Sequence, residues 1–109
     1  MNQQDFTALF NNTVADLEQL LIVKGGEYAG SDDRLGNFKR GAARVGIHPL
    51  QILWIYASKH IDSIETFIRD EAGGTSRKRS EPIAGRFDDL INYCILAKAL
   101  IEEKNNGQN

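Results

Sequence analysis

Apolar residues recur at helical spacing in four stretches of the chain. In the first, Phe6, Leu9, Phe10, Val14, Leu17, Leu20 and Leu21 fall on one side of a helix running from Phe6 to Lys24, and Gly25-Gly26 follows as its stop. A shorter second segment opens at Ser31, Asp32 or Asp33, all good N-cap types, and carries Leu35, Phe38, Ala42 and Val45 before Gly46. Pro49 suits the first turn of a third helix, whose stripe is Leu50, Leu53, Tyr56, Ala57, His60, Ile61, Ile64, Phe67 and Ile68. Between Glu71 and Ser80 the chain has neither period nor apolar content and reads as a mobile loop. Pro82 then starts a fourth helix with Ile83, Phe87, Leu90, Ile91, Cys94, Ala97 and Ile101 as its buried face. No stretch alternates long enough for a strand, so the pattern predicts an all-α protein, a four-helix bundle.

A chain of 109 residues suits one domain. Its expected extent is 1–104, with a disordered, low-complexity tail over 105–109. Apolar residues make up 41% and charged residues 26%, an ordinary globular balance that argues against disorder. The net charge of -2 gives no field to draw the molecule onto nucleic acid or an anionic membrane, so any such contact is local. No segment approaches the roughly 18 uninterrupted apolar residues of a membrane span, and the polar start lacks the pattern of a signal peptide. The single cysteine, Cys94, cannot form an internal disulfide and reads as a small buried hydrophobe, in keeping with a cytoplasmic protein.

Several polar residues do not suit a plain bundle. His60 falls near the middle of the third helix's apolar stripe, with Lys59 and Ser63 on its flank. A core histidine satisfied by one partner accounts for that position as well as a site does. Lys24 ends the apolar side of the first helix, where it either snorkels to water beside the negative helix end or reaches over the bundle mouth. Glu27, Tyr28, Asp32 and Asp33 follow it closely, and capping explains one of the two aspartates. On the fourth helix Asp88, Asp89 and Asn92 share a flank, Glu81 stands just ahead of Pro82, and Gly85 leaves room beside them. Carboxylates brought together from different helices suit Mg²⁺, a hard cation that takes oxygen ligands and is completed by phosphates.

Read in order, Lys24-Gly-Gly-Glu27-Tyr28, Asp32-Asp33-Arg-Leu-Gly-Asn37-Phe38, Lys59-His60, and Glu81 followed by Asp89-Leu-Ile-Asn92-Tyr93 resemble the phage and bacterial nucleotide-modification-associated domain family, related to the MazG-like all-α nucleoside triphosphate pyrophosphatases. The resemblance spans about three quarters of the chain. It implies a MazG-like bundle in which acids on neighbouring helices bind Mg²⁺ and a triphosphate is cleaved between its α and β phosphates. It also implies a homo-oligomer, and a bacterial host cell if the chain is phage-encoded. The sequence departs from the MazG pattern in lacking a Glu-x-x-Glu pair: Asp62 and Glu65 have that spacing but face away from the apolar stripe, and Gly85 stands where a further acid would precede Asp89.

Three functions follow as expectations. The first is a nucleotide-handling protein, an Mg²⁺-dependent pyrophosphohydrolase or a degenerate relative, with Glu27, Glu81, Asp88 and Asp89 on the metal. In it Lys24 and Lys59 meet phosphate oxygens and Asn92 orients a water or the sugar. The second is a non-enzymatic phage accessory protein that sequesters a nucleotide or nucleotide-derived signal in a pocket lined by Lys24, Tyr28, Asn37 and His60; the missing Glu-x-x-Glu pair favours it. The third is a nucleic-acid or protein adaptor working through Arg77, Lys78 and Arg79, with Lys39 and Arg40 as a second patch, although a solvated loop is the plainer account of that run. The acidic balance argues against nucleic acid as the main partner.

Overall fold

The computed structural model describes residues 1–29 and 33–106, with only the backbone of Tyr28 and Ala29. The N-cap roles considered for Ser31 and Asp32 lie outside the described residues, as does the end of the 105–109 tail. The fold is all-α, with no strand among the described residues. Its elements are α1 (Gln3–Glu18), a π-helical segment (Gln19–Lys24), α2 (Gly25–Ala29), α3 (Gly36–Val45), α4 (Pro49–Ala72) and α5 (Ile83–Asn105). They fall into two compact units, Met1–Asn37 and Phe38–Asn109, with the boundary inside α3.

In the first unit, α1 is started by the Asn2 side chain, which accepts from the Asp5 N–H at 2.8 Å. The helical path does not stop at Gly25-Gly26. It runs through a π-helical turn into α2, with Gly25 at φ −60°, an ordinary helical value. Gly25 serves another purpose, since a Cβ there would overlap the Arg34 guanidinium, whose Nη2 lies 3.5 Å from the Leu21 carbonyl. The apolar stripe expected to be buried on the first helix is not: α1 buries no residue, and Phe6, Leu9, Phe10 and Val14 are between 44% and 59% exposed. Ahead of α3 the Asp33 carboxylate accepts from the Leu35 N–H at 2.9 Å, so this aspartate does shape the start of the segment.

In the second unit α3 closes on Gly46, whose φ of 75° suits a residue without a Cβ, as its N–H returns to the Ala42 carbonyl at 2.8 Å. Pro49 takes the first turn of α4 as anticipated. His48 is the cap: its Nδ1 accepts from the Leu50 N–H at 3.0 Å while Gln51 Oε1 accepts from the His48 N–H at 2.9 Å. Helices α4 and α5 lie side by side and antiparallel, joining Tyr93 to His60 and the chain ahead of α5 to the end of α4. Their core is Ile52, Leu53, Ala57 and Ile64 of α4 with Leu100 of α5, and Phe38 and Ala42 of α3 are buried in the same unit. Leu53, 1% exposed, is the largest side chain fully buried and contributes about 1.5–3 kcal/mol by burial.

The face that α5 turns inward differs from the expected one. Asn92 and Leu100 are buried, whereas Phe87, Ile91, Cys94 and Ile101 are exposed. The helix is apolar on two sides, and packing against α4 selects the side that holds Asn92, Leu96 and Leu100. The segment after α4 is also better anchored than its composition suggests. Asp70 accepts from Arg77 Nε at 2.8 Å and Nη2 at 3.2 Å and from Arg79 Nη2 at 3.1 Å, and Arg79 lies over the Phe67 ring, 4.9 Å from its centroid. At the far end, α5 reaches Asn105, so the first residue of the expected tail is helical.

Candidate functional site

Helical spacing places His60 one turn beyond Tyr56 and Ala57 and one turn before Ile64, on the side of α4 that faces α5. The ring is 6% exposed and packs at 5.5 Å from the Tyr93 ring. Its Nδ1 lies 3.3 Å from Asp89 Oδ2, but the pair is not aligned as a hydrogen bond. One turn along α5, Asn92 is 7% exposed, and its Oδ1 has no hydrogen-bond partner among the described residues. Burying a polar atom without a partner costs roughly 1–3 kcal/mol, so two such atoms in one small helix pair are a substantial unfavourable feature. A buried polar group of this kind calls for a partner, and a bound polar molecule is one that would supply it.

The electrostatics define what they offer. Burial lowers the His60 pKa from 6.5; the Asp89 carboxylate opposes that shift, and Lys59 and Arg86 reinforce it. The imidazole is therefore neutral at pH 7, with one donor nitrogen and one acceptor. The Tyr93 phenol is pushed up by burial and further by Asp89 and Tyr56, so it keeps its proton. Together with the Asn92 amide these groups are suited to hydrogen-bonding a polar, uncharged moiety such as a base or a sugar, through directional contacts rather than charge.

Of the residues singled out in the sequence, His60, Asp89 and Asn92 come together between α4 and α5, and Lys59 stands exposed on the flank. Lys24 and Glu27 are exposed on the first unit, at the end of the π-helical segment and in α2, and Asn37 is exposed at that unit's end. The Tyr28 side chain lies outside the described residues. Among the acids proposed for Mg²⁺, Glu81 is exposed and pairs with Arg86 at 3.2 Å, Asp89 is shared between His60 and Arg86, the latter at 4.0 Å, and Asp88 is half-buried. Among the described residues no three His, Cys, Asp or Glu side chains are grouped so as to hold a metal ion. The reason is local: Arg86 sits between Glu81 and Asp89 and answers both charges. Arg86 is not among the residues singled out in the sequence, although its spacing of three to Asp89 is a helical pairing signal. Lys39, of the second basic patch, is held by Glu103 at 2.6 Å.

No protein-family model, curated protein or solved structure matches the chain. Among the described residues no helix is long and apolar enough to cross a membrane. The class these observations define is an all-α protein with a polar pair buried between two antiparallel helices.

Proposed function

We propose that this protein handles nucleotides, and that binding rather than hydrolysis is its primary activity. The observation that carries the reading is a buried polar cluster beside a protonated Tyr93: Asn92 Oδ1, with no hydrogen-bond partner among the described residues, and His60 Nδ1, which faces Asp89 at 3.3 Å without an aligned hydrogen bond. A neutral imidazole and an amide together donate to and accept from a base or sugar edge, and the neighbouring aromatic ring adds a stacking surface. The Mg²⁺-dependent pyrophosphohydrolase reading, with Glu27, Glu81, Asp88 and Asp89 as ligands, stands second because Glu81 and Asp89 already have Arg86 as their counter-ion.

The reading extends to assembly of copies. Phe6, Leu9, Phe10 and Val14 form one exposed apolar stripe on α1, and a second copy carrying the same stripe is a self-complementary occupant for it.

The deciding experiment incubates the full chain with a panel of ribo- and deoxyribonucleoside triphosphates, with and without Mg²⁺, recording thermal stability and products together. A ligand of the folded state raises the melting temperature by mass action, about 2.7 kcal/mol at a hundredfold excess over Kd. A shift with the nucleotide recovered intact supports binding. Release of pyrophosphate only with Mg²⁺ moves the hydrolase reading ahead, and the absence of any shift at millimolar nucleotide refutes both.

A further inference from the structure

The basic run Arg77-Lys78-Arg79, with Ser63 of α4, Glu81 ahead of α5 and Arg86 in its first turn, lines an open, solvent-facing cavity of about 240 Å³. That is below the roughly 300–1,000 Å³ of pockets that take whole drug-sized ligands, so it suits a small group rather than an entire nucleotide. Four cations and one carboxylate are in its wall. Behind the wall Asp70 pairs with Arg77 and Arg79, and Asp89 lies 4.0 Å from Arg86, so the lining itself sets four cations against the one carboxylate of Glu81.

The three arginines are held in place before any ligand arrives, Arg86 by Glu81 at 3.2 Å. Arg77 is clamped by two hydrogen bonds to Asp70, and Arg79 by one bond to Asp70 and by the Phe67 ring beneath its guanidinium. A guanidinium has five N–H donors, so three on Arg77 and four on Arg79 are uncommitted. Lys78, between them, has no ion-pair partner among the described residues. Fixed, unsaturated donors around a small cavity with excess positive charge are the arrangement that recognises a compact, multiply charged oxyanion.

From this geometry we infer that the cavity formed by Arg77, Lys78, Arg79 and Arg86 binds a phosphate or diphosphate group. Its connection to the polar pair is direct: Arg86 contacts Asp89, which contacts His60, and Ser63 lies one helical turn beyond His60. A ligand with an uncharged end at His60, Asn92 and Tyr93 would thus present its phosphates to this cavity. That extension rests on the nucleotide reading; the anion site itself rests on the cavity alone.

The test is calorimetric titration of the full chain with inorganic pyrophosphate and, separately, with the nucleotide panel. Lys78→Gln and Arg86→Gln are compared with Lys98→Gln, which removes the same charge from an exposed position of α5. Loss of one charge-assisted contact is expected to weaken pyrophosphate by about tenfold in the first two variants and leave Lys98→Gln unchanged. Lys78 is exposed, so its variant folds whatever the fate of Arg86→Gln. Equal weakening in all three variants, or no pyrophosphate binding by the unaltered chain, overturns the inference. If pyrophosphate binds and no nucleotide does, the anion site stands and the nucleotide reading falls. If nucleotides bind and both cavity variants retain full affinity, the nucleotide reading stands and this site falls.

Discussion

Asn92 offers the sharpest separation of a site from an ordinary core. Its side chain is 7% exposed and its Oδ1 is buried with no hydrogen-bond partner among the described residues, so the free protein bears a desolvation cost. Asn92→Leu exchanges the amide for an apolar group of similar shape. Relieving one unsatisfied carbonyl returns roughly 1–3 kcal/mol, from which the crowding of a slightly larger side chain must be subtracted. A net gain of about 1 kcal/mol is expected, which raises the melting temperature of a domain this size by roughly 4–8 °C. The same substitution removes an acceptor from the proposed ligand site, so the nucleotide-induced shift should shrink or vanish. Stability and function would then move in opposite directions, the usual sign of a residue kept for binding. Circular dichroism melts of both proteins, with and without nucleotide, measure the two effects together. A fall in melting temperature without ligand would mean that Oδ1 is satisfied in the free protein and would refute the reasoning.

The remaining expectations concern protonation, packing and assembly. Because His60 has a folded-state pKa below its ordinary 6.5, the unfolded chain binds a proton more readily; stability is complete above pH 6.5 and is lost as the pH falls from there through the lower folded value. His60→Gln should flatten that slope in denaturant titrations run across this range, and an unchanged slope would assign it elsewhere. Asp70 is held below its ordinary 3.8, chiefly by the hydrogen bond from Arg77, so its contribution is present above pH 3.8 and lost as the pH falls through the folded value. Asp70→Asn should therefore lower stability at neutral pH and remove part of the acid transition. Leu53→Ala, at a position 1% exposed, should cost about 2–5 kcal/mol in urea unfolding. Replacing Phe6 and Phe10 of α1 by serine should reduce the sedimentation mass if copies of the chain associate through that stripe, and an unaltered mass would remove α1 from the interface.

Local physics made much of this protein readable in its sequence. A 3.6-residue apolar period is a property of neighbouring positions, so the helices, Pro49 at the start of α4 and the inward direction of His60 followed from it. That Asp89 and Asn92 share a flank of α5 was also legible, because residues three apart lie on one side of a helix. The rotation of α5 was not, since a helix with apolar residues on two sides has no preferred inner face until α4 supplies one; Cys94 went outward and Leu100 inward for that reason. Gly25-Gly26 reads as a stop in the sequence, yet the helical path continues through it into α2, and what Gly25 supplies is room for Arg34, nine positions on. The clamp of Asp70 on Arg77 and Arg79 likewise depends on how the chain turns between α4 and α5, a path that no helical period describes. Periodicity fixes which residues share a face; only packing fixes which face is turned inward and which charges then meet, because those contacts join residues whose separation along the chain carries no regular signal.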